Sequence, residues 1–123
     1  MRTTLSADNC PAARALDVIG ERWSLLIVRE ALGGARRFDE FRERLPISEN
    51  TLTRRLAELV DRQILDRQPY QSTPTRYEYL LTESGRSLIA ILASLAEWGD
   101  QWTEPDPDGP TPPAVPAWMA PPD

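Results

Sequence analysis

Side chains able to do chemistry cluster in two places in this sequence. The first is Cys10, the lone cysteine, which is followed by Pro11. Proline suits the first turn of a helix, so Asn9 or Cys10 stands at the cap. A thiol there meets the positive end of the helix dipole, which favours the reactive thiolate. Arg14, one turn on, acts in the same direction, and Asp8 acts against it. The second place is the run Ser48-Glu49-Asn50-Thr51-Leu52-Thr53-Arg54-Arg55. Its guanidinium, amide and hydroxyl groups suit oxyanions and nucleobase edges. Arginine forks to guanine or phosphate, asparagine pairs with adenine, and hydroxyls hold phosphate oxygens.

Much other chemistry is excluded by composition. The 123 residues contain no histidine, so Ser-His-Asp and Cys-His nucleophilic machinery is unavailable. One cysteine without histidine leaves zinc short of its usual ligands, and no metal or cofactor site is expected. Gly33-Gly34 precedes no phosphate-loop signature. Only carboxylate catalysis survives formally, and no constellation for it is visible. No internal disulfide can form. No apolar run approaches the roughly 20 residues that span a membrane. Met1 to Asp8 lacks the apolar stretch of a signal peptide. The chain therefore reads as a cytoplasmic protein of one ordinary domain.

The net charge of −5 is unevenly spread. Residues 1–35 balance, with four arginines and four acids, while residues 36–76 carry nine arginines against seven acids. Residues 77–102 sum to −3 and residues 103–123 to −4. The positive bias thus surrounds the donor-rich run, and every cation is arginine.

Hydrophobic spacing supplies the elements that position these groups. Ala12, Ala15, Leu16 and Ile19 form a first helical stripe, ended by Gly20. A second helix over Arg22 to Leu32 carries Trp23, Leu26, Ile27 and Ala31 on one face and stops at Gly33-Gly34. A short third helix, about Asp39 to Arg44, is anchored by Phe38, Phe41 and Leu45, and Pro46 forces a turn. Ser48 then caps a fourth helix, about Glu49 to Asp61. Its inner face is Leu52, Leu56, Leu59 and Val60. At about 100° per residue, Arg54 lies opposite that face, with Asn50, Thr51, Glu58 and Asp61 around it and Thr53 and Arg55 on the flanks. Helix, tight turn and freshly capped helix make a helix-turn-helix. Ile64–Tyr70 and Arg76–Leu81, joined by a Pro/Ser/Thr turn, read as a β-hairpin, with Pro69 at an edge. Thr82 caps one long last helix, about Glu83 to Trp102.

This pattern predicts a mainly α chain with a small β-hairpin wing, an α+β winged helix-turn-helix, over residues 1–102. Residues 103–123, with eight prolines and four acids, read as a disordered or extended tail. Leu88, Ile91, Leu92, Leu95, Trp98 and Trp102 exceed what one small core covers. They predict a homodimer formed by the last helix with the N-terminal segment.

The sequence resembles the HxlR-type bacterial regulators over roughly residues 9–102. The resemblance rests on Cys10-Pro11, on Ile19-Gly20-Glu21-Arg22-Trp23-Ser24-Leu25-Leu26-Ile27 and on Arg37-Phe38-Asp39-Glu40-Phe41. It continues through Ile47-Ser48, Leu52-Thr53-Arg54-Arg55-Leu56 and Tyr77-Glu78-Tyr79-Leu80-Leu81-Thr82-Glu83-Ser84-Gly85-Arg86. It implies homodimeric winged-helix regulators, commonly repressors and sometimes activators. Several members respond to oxidants or electrophiles through a cysteine near the N-terminus.

Each reading has a plainer competitor. The expected DNA-facing residues are Ser48, Asn50, Thr51, Thr53, Arg54 and Arg55 in the fourth helix, Thr73, Thr75 and Arg76 in the hairpin, and Arg37 beside Arg36. The partner is a double-stranded operator with an inverted repeat. Against this stand an ordinary solvated helix face and a plain surface turn. Cys10 is a redox or electrophile sensor or an inert thiol against the dimer core. Trp23, Trp98 and Trp102 are packing residues or line a dimer cleft for a small-molecule effector. A winged-helix protein-interaction module explains the acidic total better, but leaves Arg54, Arg55 and Arg76 without use.

Overall fold

The computed structural model describes residues 9–113 and 115–120. Helices α1 (Pro11–Ile19), α2 (Arg22–Leu32), α3 (Phe38–Arg44) and α4 (Glu49–Asp61) come first. The antiparallel strands β1 (Leu65–Ser72) and β2 (Thr75–Leu81) follow, then α5 (Glu83–Ser87) and α6 (Ile89–Trp102). A 3₁₀ turn at Ala117–Met119 closes the described chain. The N-terminal segment before Asn9, expected to share the dimer contact, lies outside the described residues.

Capping explains most boundaries. Glu21 ends the short link from α1, and its carboxylate accepts the Trp23 and Ser24 N–H groups at the start of α2. At the other end Gly34 has φ +103°, a left-handed conformation that glycine adopts without strain. The Ala35 N–H then closes on Glu30 and the Gly34 N–H on Ala31, satisfying the last carbonyls of α2. Helix α4 ends in the same way on Gln63, with φ 62°. There the Ile64 N–H reaches Leu59 and the Gln63 N–H reaches Val60.

The core gathers on α2, whose Ile27 and Val28 are fully buried. Around them pack Phe41 of α3, Leu52, Leu56 and Leu59 of α4, and Leu65 of β1. Each such side chain contributes about 1.5–3 kcal/mol through burial. The inner face expected for α4 is thus the buried one, with Val60 at its margin. The stripe expected on α1 is not buried as a whole: Ile19 is in the core and Leu16 is exposed.

Strand β1 continues to Ser72, two residues beyond the expected end, and a bulge between Pro69 and Gln71 adjusts its register. The segment before α3 joins this ladder. Arg37 bridges to Glu78, and the Tyr79 N–H donates to the Arg36 carbonyl at 2.6 Å. Strand β2 is therefore fastened to the segment that leads into α3.

The single last helix expected over Glu83–Trp102 is two helices meeting at Leu88. The first of the two makes a close approach. A Cβ on Gly85 would lie 2.3 Å from the Ile64 carbonyl oxygen, so α5 is pressed against the end of α4. Thr82 and Ser84 strengthen the joint by donating their hydroxyls to the Gln63 carbonyl. Helix α6 resumes at Ile89 after Leu88, whose φ of −68° and ψ of −10° are still in the right-handed helical region. The tail also differs from a free extension. Residues 103–106 and 110–113 carry no helix or strand, but Trp118 returns to pack against the core beside the end of α2.

Candidate nucleic-acid interface

The outer face of α4 presents Asn50, Thr53 and Arg54. All three are exposed, and their side chains make no hydrogen bond or ion pair among the described residues. Ser48 is already occupied. Its Oγ accepts the Thr51 N–H at 3.2 Å and donates to Thr51 Oγ1 at 2.9 Å, so both hydroxyls organise the first turn. This leaves the amide N–H groups of that turn and the dipole's positive end facing outward. Glu49, the acid nearest the helix start, is paired with Arg42 of α3 at 3.3 Å.

Arg55 does not join this face. Its Nη1 lies 2.8 Å from Glu58, and its Nε lies 3.3 Å from Glu21 without hydrogen-bond geometry. The expected phosphate contact is therefore a side chain already engaged within the chain. The pairing also moderates Glu58, an acid that would otherwise repel DNA from the middle of the helix.

On the hairpin, Thr73, Thr75 and Arg76 are exposed as expected. Gln71 shapes the tip by donating its amide to the Thr73 and Pro74 carbonyls. Arg37 stands 3.9 Å over the Tyr70 ring, and Arg67 stands 4.3 Å over Tyr77. Arg37, Arg76, Tyr70, Tyr77 and Tyr79 line a cleft of about 560 Å³ between α3 and the hairpin. Burial pushes the Tyr79 phenol up and Arg67 opposes the shift, so the phenol stays neutral. Asp39 and Glu40 also line it and balance the two arginines, so the cleft joins expected contacts from two separate segments into one aromatic surface of mixed charge.

These stacks were missed by sequence reasoning, although Arg67, Tyr70 and Tyr77 lie in the runs assigned to the hairpin. Arg67 and Tyr77 on facing strands were a signal for one stack, whereas Arg37 reaches Tyr70 from the start of α3, which strand pairing does not announce. Glu40 is a second quiet contributor. Its carboxylate accepts the Arg37 N–H at 2.9 Å and the Arg36 N–H at 3.0 Å, which lowers its pKa and fixes the link before α3.

Cys10 is exposed and free. The Ala13 and Ala12 backbone N–H groups lower its pKa, as the helix start predicts, although the sulfur completes no full cap bond. The expected dimer surface is narrower than the six residues proposed for it. Leu88 and Leu92 are each 7% exposed and belong to the monomer core, whereas Leu95, Trp98 and Trp102 are 49%, 62% and 66% exposed. Ile91, Leu95, Trp98 and Trp102 form one stripe within about 60° of arc. Trp23 is half-buried against the core, with Arg22 stacked over it at 4.8 Å. No group of acids or cysteine able to hold a metal occurs among the described residues, and no helix of theirs is long and apolar enough to cross a membrane.

A helix-turn-helix with a hairpin locked behind its second helix defines a winged helix-turn-helix protein. Residues 18–107 match the model of the HxlR-like helix-turn-helix family, and the chain belongs to that family. An uncharacterized HTH-type transcriptional regulator of Mycobacterium tuberculosis is 50% identical over 97 residues. That match covers 79% of this chain but only 61% of the relative's length. The HTH-type transcriptional regulator YodB of Bacillus subtilis is 39% identical over 98 residues, covering 78% of this chain and 88% of YodB. The reduced YodB structure matches with a TM-score of 0.66 at 38% identity, covering 79% of this chain and 97% of that one. The redox regulator HypR in its oxidized form matches with a TM-score of 0.68 at 38% identity, covering 78% of this chain and all of HypR.

Proposed function

We propose that this chain is a sequence-specific DNA-binding transcriptional repressor. It acts as a homodimer on an inverted-repeat operator and responds to modification of Cys10. The observation that carries the DNA reading is the outward set Asn50, Thr53 and Arg54 on a helix capped by Ser48, with Arg37 and Arg76 together in the cleft between α3 and the hairpin. A major groove admits such a helix, and its N-terminal residues reach base edges. The hairpin's Thr73, Thr75 and Arg76 then hold backbone phosphate or the minor groove. Two copies joined through the α6 stripe present two recognition helices, which reach successive major grooves about 34 Å apart.

Control through Cys10 is supported by its exposure and its lowered pKa, and by two similar proteins: HypR is a redox regulator, and YodB has been crystallised after diamide treatment. Two Cys10 thiols of two copies give up two protons and two electrons to an oxidant such as diamide and form one intermolecular disulfide. A quinone instead adds directly to the thiolate. Either change repacks the subunits and alters the spacing of the recognition helices.

A gel shift with the duplex upstream of the protein's own gene tests the central reading. Tight binding that falls steeply with salt is expected. Equal binding to any sequence, or none, would point instead to a protein-interaction module, which the net charge of −5 suits better.

A further inference from the structure

Arg55 stands on the recognition helix but is turned along its flank toward α1 and α2. Its side chain is 21% exposed, and its partners Glu21 and Glu58 hold it from two sides. Glu21 does double duty. The same oxygen, Oε2, caps α2 through the Trp23 and Ser24 N–H groups and faces Arg55 Nε. Two turns further along α4, Arg62 reaches Asp17 of α1 at 3.7 Å. Positions 55 and 62 are seven residues apart and so lie on one flank of the helix. Two pins on one flank add to the buried face of Leu52, Leu56 and Leu59 in holding the rotation of α4 about its own axis.

Rotation matters because the groove reads side-chain tips. With side chains extending about 5–6 Å from the axis, a turn of about 20° moves a tip by about 2 Å. That is enough to break a bidentate contact to a base. Freeing Arg55 is also costly in itself, since its Nε is buried and would be left without a counter-charge.

We infer that Arg55 is a positioning residue: held by Glu21 and Glu58, it locks the recognition helix to the start of α2 and makes no phosphate contact. The consequence for sequence preference rests on the DNA-binding reading above, while the pairing itself does not.

The test compares the parent with Glu21→Gln, Arg55→Gln and the double variant. Glutamine at position 21 keeps an oxygen for the cap but removes the charge. Binding is measured to the upstream duplex and to a random-sequence duplex over a range of salt. Both single variants are expected to lose preference for the upstream duplex by about fivefold, and the double variant by no more than either. Arg55→Gln should keep the parent's salt slope on the random duplex. A slope flatter by about 0.9, the signature of one phosphate left unneutralised, would overturn the inference. Should Arg55→Gln not fold, Arg55→Lys replaces it. It keeps the charge but not the fork, so undiminished preference there would also overturn it. A parent that binds neither duplex defeats the DNA reading alone. The thermal unfolding of the same four proteins then decides: non-additive shifts support the Glu21–Arg55 lock, and additive shifts refute it.

Discussion

The Arg37 guanidinium lies 3.9 Å over the centre of the Tyr70 ring, joining the N-cap residue of α3 to the first strand of the wing. An exposed cation–π contact of this kind contributes about 0.5–1 kcal/mol. Tyr70→Leu keeps apolar bulk but removes the ring face. It should lower unfolding stability by about that amount in a denaturant titration, and weaken operator binding by releasing Arg37. Parent-like stability would mean that the stack carries no energy.

Arg54 is the outward guanidinium of α4 and has no partner among the described residues. Arg54→Ala should therefore cost about 1–3 kcal/mol of operator binding and flatten the preference among sequences. Stability should hardly change, because the side chain is exposed. Binding selections across randomised half-sites would read both effects. Parent-like selectivity would show that α4 does not enter the groove in this orientation.

Trp118 gives the tail a structural role. It packs beside the end of α2, where a Cβ on Gly33 would lie 3.6 Å from Ala117. Because Trp118 is only half-buried, Trp118→Ala should cost about 1–2 kcal/mol, less than the 3–5 typical of a fully buried aromatic. A chain ending at Thr103 should lose a similar amount yet bind DNA at least as tightly, since it sheds a segment of charge −4. Calorimetry and gel shifts on both proteins check this. An unchanged melting temperature would leave the Trp118 contact without energetic weight.

The stripe of Ile91, Leu95, Trp98 and Trp102 predicts association through α6. Light scattering should give about twice 13.9 kDa at micromolar concentration. Leu95→Asp should shift the mass to the monomer without unfolding the chain, because Leu88 and Leu92 hold α6 to the core. A monomeric parent would refute the dimer, and a dimeric Leu95→Asp would place its interface elsewhere.

The helices were legible where the signals that shape them are local. Ser48 marks the start of α4, and Gly33-Gly34 marks the end of α2, in the sequence as in the structure. What the sequence hid depends on contacts between distant segments. Gly85 meets the Ile64 carbonyl just before the division at Leu88, a contact that no property of residues 83–102 announces. Arg55 reads as a flank cation until Glu21, on another helix, is brought beside it. Leu88 and Ile91 look alike on a helical wheel, yet only the packing of α6 decides which one is left for a partner. Trp118 lies among prolines, and its seat is built by residues far away in the chain.

Cys10 offers the most direct chemical test. The Ala13 and Ala12 N–H groups stabilise its thiolate in the folded protein and hold its pKa below the ordinary value. A depressed folded pKa means that the thiolate's stabilisation is present at high pH and is lost as pH falls through the folded value. Alkylation of the native protein should therefore reach half its maximal rate at a lower pH than alkylation of the protein unfolded in urea. Coinciding midpoints would remove the chemical basis for sensing. The consequence for DNA is tested with diamide or a quinone on the parent and on Cys10→Ser. Each reagent should release the parent from the upstream duplex and leave the variant bound, and with diamide the parent alone should gain a disulfide-linked dimer. Release of both proteins to the same extent would assign control to another site, and retention by both would show that modification of Cys10 does not reach the recognition helices.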